Sequence, residues 1–432
     1  MALGLSRLGL RVCVVDEKRG PANGSSAYSS GICRMFYSTP QSVRLSWEGY
    51  HCWEQWPHFI THKDPRGLAS LRECGGIIPR TPNSAFFLDR VIACMTDIGV
   101  PFEALDMDAT RTLVRHLDWD ISHSYIPRRI DDPDFGKPTP GAAIEGSLYT
   151  PKAGYVSDPQ LATQNLCFAA ERAGATFQYQ KKVIGIEQHN GRVTGLRLAD
   201  GTTTVANVIV NAAGPYSSKI TAMAFPGIVD TVPNDMRLST RAMRQEVAYC
   251  HAPPGVNQDK HGMIVADFDL GIYMRPEVGN KILIGGMEPA CDPLEWEDGD
   301  IDRDMRVNLT DTWTNYIYRA ALRMPNLPIP HSRGMQGVVA AYDVTPDWAP
   351  IYDKSALAGY YMAIGTSGNQ FKNCAAVGEL MSGLIEYCEN GHDHDAQPYQ
   401  YPTARSSPEN HVNIGAFSRL RDIDPAHLNV MG

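Results

Sequence analysis

Residues 1–17, MALGLSRLGLRVCVVDE, constrain the fold more than any other stretch of the chain. The run LGLSRLGL has helical spacing, Gly9 is placed to end the helix, and Arg11–Asp16 (RVCVVD) reads as a short buried strand. A helix, a glycine and a β-branched strand closing on an acid form the second half of a dinucleotide-binding βαβ unit. There the carboxylate at the strand end, here Asp16, accepts hydrogen bonds from a ribose. The first half, a strand and G-x-G-x-x-G, does not occur in the sequence. Counting back from Gly9 sets its third glycine just before Met1, so the expectation is that about 15 residues of the unit are missing. An acid after a strand is more often a turn residue, so the reading of Asp16 depends on the rest of the chain.

Length and charge narrow the function classes. The 432 residues allow about two or three domains. The apolar fraction, 43%, supplies a large core and excludes disorder as the main character. With 39 basic and 48 acidic side chains, net charge −9 and no Lys/Arg block, a nucleic-acid protein is not expected. No apolar run reaches the ~18–20 residues of a membrane span, and Arg7 and Arg11 break up the N-terminal apolar stretch, so no signal peptide is read. The ten cysteines stand without C-x-x-C or Cys/His ligand spacing, which fits reduced thiols in a cytoplasmic protein and gives no metal site.

The middle of the chain supports the opening. In GRVTGLRLADGTTTVANVIVNAAGPYSS (191–218), two short strands flank an Asp200–Gly201 turn, and a strand Val205–Val210 runs into Asn-Ala-Ala-Gly. Small residues at such a strand end let backbone approach a ligand, and Gly214 can adopt torsions that a side chain forbids. Upstream, Gly-Tyr-Val-x-Asp-Pro leads into a helix ending at Ala173–Gly174.

Five strings then occur in a telling order: GYVSDP, VIVNAAGPYSS, YMRPEVGNKILIGG, TPDWAPI and GTSGNQFKNCAAVGELMSGLI. With them the chain resembles the D-amino-acid oxidase / sarcosine oxidase superfamily of flavoproteins, and within it the glycine/sarcosine oxidase-like branch, from Gly9 to about Glu386. The resemblance implies an α/β fold: a Rossmann-like FAD-binding domain, lacking its first strand and GxGxxG, interleaved with an α+β substrate domain built on an antiparallel sheet. The FAD-binding domain would comprise residues 1–75, 150–225 and 330–390, the substrate domain 76–149 and 226–329, and the tail 391–432. Strands are expected at Met243–His251, Gly271–Arg275 and Lys281–Gly286, with a turn over Glu277–Asn280. Segment 125–145, rich in Pro, Gly and Asp, reads as a loop or lid, and His392–Asp395 (HDHD) as a solvated surface turn rather than a metal site.

Such enzymes move a hydride from the carbon next to nitrogen to the flavin, while the protein holds the substrate and tunes charge around the ring. Arginine suits a substrate carboxylate because its planar fork engages both oxygens and stays charged. Arg34, nine residues after Ser25 in NGSSAYSSGICRMFY, matches the family's carboxylate arginine, and Lys372 in GTSGNQFKNCAAVGEL matches the second half of that grip. Tyr342 matches a position beside flavin and substrate. Lys281 stands two residues before Leu283, the position where some relatives carry an oxygen-activating lysine, so oxidase and dehydrogenase both stay open. The cofactor-binding set implied is Asp16, Ser25, Ser26, Val183, Ala213, Gly214, Gly337, Gly365, Gly368, Asn369, Phe371 and Lys372. Ala340 stands where some relatives attach flavin through cysteine, and residues 20–37 contain no histidine, so FAD is expected to be non-covalent. The expected partners are a small carboxylate-bearing amine and O2 or another electron acceptor. The expected reaction is oxidation of a small amino acid or N-methyl amino acid to an imine that water hydrolyses. The rival readings are a 2-hydroxy-acid dehydrogenase on the same fold and a truncated, cofactor-free relative.

Overall fold

In the computed structural model, residues 1–225, 239–423 and 431 are described. The first thirteen residues of the expected substrate-domain segment 226–329, and residues 424–430 and 432 of the tail, lie outside them.

The chain opens as a helix, Ala2–Arg7, released by Gly9 at φ +78°, and a strand, Cys13–Val15, parallel to Thr176–Gln178. The helix lies close against Cys374–Glu389 because both carry glycine at the contact: a Cβ on Gly4 would sit 2.7 Å from the Gly378 carbonyl oxygen. A second helix, Pro159–Arg172, starts on Asp158, whose side chain accepts the Leu161 amide at 2.8 Å, with proline at the first position and Gly174 (φ +102°) beyond its end. These helices enclose an apolar cluster that includes Leu45, Trp53, Trp56, Leu380 and Leu384.

The parallel pairing of this half lies in two separate sheets, the second of which adds Ile351–Lys354 antiparallel to Tyr360–Ile364. Cys13–Val15 and Thr176–Gln178 form one; Ile209–Asn211, Tyr360–Ile364 and Ile351–Lys354 form the other. No backbone pairing joins them among the described residues. The expected strand Val205–Val210 is also divided. Thr203–Val205 closes a three-stranded antiparallel sheet with Arg192–Leu198, and only Ile209–Asn211 enters the parallel sheet beside Tyr360–Met362. The β-branched composition is shared by both parts, so it could not reveal where the chain changes sheet.

The other half rests on one nine-stranded, mainly antiparallel sheet. Its centre is Arg241–His251, paired on one side with Lys281–Gly286 and on the other with Gln336–Val344 over nine residue pairs. Ile272–Glu277 and Ile264–Asp267 extend it to Gly76–Arg80, Gly146–Thr150 and Glu103–Leu105. Strand Gln336–Val344 therefore pairs into this sheet, although it lies within the segment 330–390 read as FAD-binding.

Segment 125–145 has no regular structure, as its composition suggested, but it is pinned rather than lid-like. Asn315 accepts the Ile130 amide at 2.8 Å, and Arg319 donates to the Arg128 carbonyl at 2.8 Å. The HDHD turn is only half solvated. His394 is 1% exposed, accepting the Tyr399 amide at 3.0 Å and facing Asp353 at 3.5 Å, while Asp395 takes two hydrogen bonds from Arg419. The buried Asp353–Arg419 pair requires partners there, which composition could not reveal.

Candidate active site

A cavity of about 640 Å³ runs between the two sheets that hold the parallel pairing and under the large antiparallel sheet. Val14 and Phe177 line it from one, Tyr352 and Ala363 from the other. Its roof is formed by two paired strands. Gln245 and Val247 on one strand, and Val338, Ala340 and Tyr342 on its neighbour, all face the cavity, with Gln245 opposite Ala340 and Val247 opposite Val338.

Several residues expected at a cofactor line it. Asp16 stands at the exposed end of its strand, its carboxylate accepting the Lys18 amide at 2.8 Å. Ser25 and Ser26 lie in a short 3-10 turn, and Ser25 Oγ donates to the Ala341 carbonyl at 2.7 Å, tying that turn to the roof. Ala213, Gly214, Gly368 and Phe371 also line the cavity. Gly214 has φ +56° and nothing within 4 Å of a would-be Cβ, so a side chain there would project into open space. At Gly368 (φ +71°) a Cβ would lie 2.3 Å from the Tyr342 ring.

A second cavity of about 50 Å³ adjoins the first. Tyr273, Tyr342, Gly368 and Phe371 line both. The small cavity holds the side chains expected at a substrate carboxylate. Arg34 is 6% exposed and Lys372 3% exposed, and both cations lie against the Tyr37 ring, at 4.1 and 4.9 Å from its centre. Arg34 Nη1 donates to the carbonyls of Phe36 (2.7 Å) and Met431 (3.1 Å). Lys372 Nζ donates to the Asn369 carbonyl at 2.5 Å and has no acidic side chain within salt-bridge distance among the described residues. Burial, reinforced by Arg34, drives the Lys372 ammonium well below the usual lysine range, and burial lowers Arg34 as well. A buried ammonium without a counter-charge is costly, and an arriving anion relieves that cost.

Four expected residues are not at either cavity wall. Lys281 is half-buried at the start of its strand and donates to Gln336 at 2.9 Å in a solvent-exposed bond; Leu283, two residues on, is packed in the sheet interior at 2% exposure. The period-two alternation that puts both on one face does not bring the strand's first residue to the cavity. Val183 opens a strand pairing with Leu198, away from the lining. Gly337 faces opposite to Val338, where a Cβ would meet the Val247 carbonyl oxygen at 2.2 Å. Gly365 acts behind the wall: its amide donates to Asp343 at 2.6 Å, and a Cβ would strike Thr345. Asn369 lines the small cavity, its carbonyl accepting from Tyr37 and Lys372.

Sequence reasoning missed Tyr37, Gln245, Tyr273, Asp343 and Glu288. Gln245 carried no distinguishing signal, since it stands between Arg244 and Glu246 in the strand RAMRQEVAYCH. Asp343 lines the large cavity at 2% exposure, and burial pushes its carboxyl up to about 7.

The family model for FAD-dependent oxidoreductases, DAO, matches residues 1–384. The chain belongs to this family. A 65-residue stretch is 37% identical to the D-amino acid dehydrogenase of Xanthobacter autotrophicus (strain ATCC BAA-1158 / Py2), a match spanning 15% of this chain and 15% of that protein. Glycine oxidase from Geobacillus kaustophilus superposes with TM-score 0.68 at 20% identity, covering 98% of this chain and 95% of that one. L-proline dehydrogenase from P. horikoshii superposes with TM-score 0.69 at 18% identity, covering 97% and 93%. At such identities the likeness establishes the α/β fold alone. The family requires FAD, and the large cavity fits it: an acid stands at a strand end, and Gly214 leaves open a cradle that a side chain would fill. Among the described residues no helix is long and apolar enough to cross a membrane, and no group of three His, Cys, Asp or Glu is arranged to hold a metal.

Proposed function

We propose that this protein oxidises the carbon–nitrogen bond of a small amino acid or N-methyl amino acid, with FAD held non-covalently in the large cavity and the substrate carboxylate in the small one. The observation that carries this reading is Lys372: a buried ammonium with no acidic partner among the described residues, beside Arg34, in a cavity sharing a wall with the cofactor cavity. FAD, when bound, supplies the acceptor for the hydride. Arg34 and Lys372 fix the carboxylate and so orient the α-carbon toward the shared wall of Tyr273 and Tyr342. Asp16 would hold the ribose and Ser25–Ser26 and Ala213–Gly214 the body of the cofactor. Ala340, lining the roof, offers no nucleophile for covalent attachment, in keeping with non-covalent FAD. The imine leaves to be hydrolysed by water, and the electrons pass to O2 or another acceptor. The ten cysteines are all free thiols, which supports a cytoplasmic setting.

The test is anaerobic bleaching of the FAD-reconstituted protein by glycine, sarcosine and other small amino acids, beside the corresponding 2-hydroxy acids. Bleaching by amino or N-methylamino acids alone is expected. Bleaching by the hydroxy acids alone would overturn the reading in favour of the hydroxy-acid dehydrogenase.

A further inference from the structure

The antiparallel sheet carries an acid that neither cofactor nor carboxylate binding accounts for. Strand Lys281–Gly286 ends in two glycines, each covered by a phenol. A Cβ on Gly285 would lie 2.4 Å from the Tyr273 hydroxyl, and one on Gly286 2.3 Å from the Tyr316 hydroxyl. Just beyond them, Glu288 adopts φ +50°, a left-handed conformation that non-glycine residues rarely hold. Both of its carboxyl oxygens are buried without a hydrogen-bond partner. Such a group is costly to retain unless it has work to do.

Its neighbours come from four elements as well as its own. Tyr273 on Ile272–Glu277, Tyr342 on Gln336–Val344, Tyr316 on Asp311–Arg323, and Asp292 on Glu288's own loop lie within electrostatic reach of it. Gln245, on Arg241–His251, is the polar group that turns toward it, short of hydrogen-bond geometry. Asp292 is already engaged by Arg319 at 2.7 Å, so that cation is spent on another carboxylate. Tyr273 and Tyr342 are in polar contact with each other, Tyr273 also reaches Ser30, and both line the junction of the two cavities.

We propose that Glu288 is a positioning residue that takes up the proton released by the substrate's amino group, acting through the Tyr273–Tyr342 phenols rather than by touching the substrate. This role rests on the amine-oxidising function proposed for the chain. An amino acid arrives as an ammonium, and its nitrogen must offer a lone pair before the carbon beside it can give up hydride. One N–H bond of the ammonium breaks, its proton passing to a phenol oxygen. In the substrate complex a phenol that closes to hydrogen-bond distance passes its own proton to the carboxylate of Glu288, which neither phenol hydrogen-bonds in the substrate-free structure. No electrons are transferred in this step: an ammonium and a carboxylate become a neutral amine and a neutral carboxyl. Burial, with Asp292 second, pushes the Glu288 carboxyl up to about 8, so it exchanges protons near neutrality rather than standing permanently ionised.

The test compares wild type with Glu288→Gln, which keeps the shape and removes the titration. Infrared pH-difference spectra of the FAD-loaded protein without substrate should show a protonated-carboxyl component that disappears near pH 8 in wild type and is missing in the variant, which keeps only the Asp343 component near pH 7. With substrate, the pH profile of kcat/KM should show a rising limb near pH 8 that Glu288→Gln abolishes, leaving only the limb of the substrate's own amine. Bound FAD should be unchanged. If the band is present but Glu288→Gln leaves the profile unmoved, the proton role is overturned while the amine reading stands. If no amine bleaches the flavin, the amine reading itself fails, and the infrared band still reports whether Glu288 titrates. Should Glu288→Gln not fold, Glu288→Asp keeps the test: it should retain the limb with its midpoint displaced, and an unmoved midpoint would overturn the proposal.

Discussion

The two walls that meet at Tyr273 and Tyr342 carry opposite charge problems. On one side, Arg34 and Lys372 are buried cations, and the Lys372 ammonium has no acid among the described residues to neutralise it. On the other, Asp343 lines the large cavity and Glu288 lies outside both linings; both are buried carboxyls, raised to about 7 and about 8 by desolvation, with one Asp343 oxygen and both Glu288 oxygens lacking a partner. A protein needing only stability would bring such groups together as ion pairs or replace them with apolar side chains. In the proposed function the unpaired cations would take the substrate's carboxylate, and the acids would stand on the side of its amine.

The sharpest way to break this comparison is on the cationic side. Lys372→Met, with Arg34→Met beside it, should lower kcat/KM for the amino acid by roughly 100-fold or more, the scale for removing one partner of a buried charge pair. Steady-state kinetics checks this, and a change below about threefold would mean that the substrate carboxylate is held elsewhere. Next in size is the shared wall. Gly368→Ala drives a Cβ to 2.3 Å from the Tyr342 ring at φ +71°, and should cost about 2–4 kcal/mol of stability. Gly214→Ala, with φ +56° but open space around it, should cost only about 1 kcal/mol in the FAD-free protein. Denaturant unfolding of the two variants separates a packed wall from an open cradle.

The acidic side predicts a pH dependence with a definite sign. Glu288 titrates near 8 when folded against an ordinary value of 4.5, so between these pH values the folded state binds more protons than the unfolded one. Its contribution to stability is therefore full below about pH 4.5 and is lost as pH rises through 8. Relative to Glu288→Gln, wild type should lose about 3–6 °C in Tm between pH 5 and pH 9, measured by thermal melts of the FAD-free protein. A constant difference would mean that the acid is not held protonated. The smallest effect belongs to Lys281: Lys281→Ala should change kcat/KM and flavin reoxidation by less than about twofold, since its ammonium is exposed on Gln336.

The two sides also differ in how far the sequence revealed them. Arg34, Lys372, Asp16 and the Ser25–Ser26 turn stand in short local strings, where the spacing of glycine, serine and charge carries the information. The strands Arg241–His251 and Lys281–Gly286 were placed by the family resemblance to within two residues. The acidic wall was not. Tyr342 was read from its string, but Glu288, Tyr273 and Gln245 come from a loop and two other strands, and only the register Gln245 opposite Ala340 and Tyr273 opposite Gly285 assembles them beside it. Lys281 failed for a related reason: alternation gives the face of a strand but not which end of that face meets a cavity. The division of Val205–Val210 between two sheets, and the burial of His394 against Asp353, likewise depend on partners distant in sequence.

The most direct measurement is the visible spectrum of the FAD-reconstituted protein titrated with acetate, beside methylamine, in wild type and Lys372→Met. The account predicts a saturable perturbation of the flavin bands by acetate in wild type, weakened roughly 30-fold or more in the variant at equal FAD content, the scale for losing a buried charged partner. Equal acetate affinity in the two proteins would contradict it, because the carboxylate would then bind somewhere other than between Arg34 and Lys372.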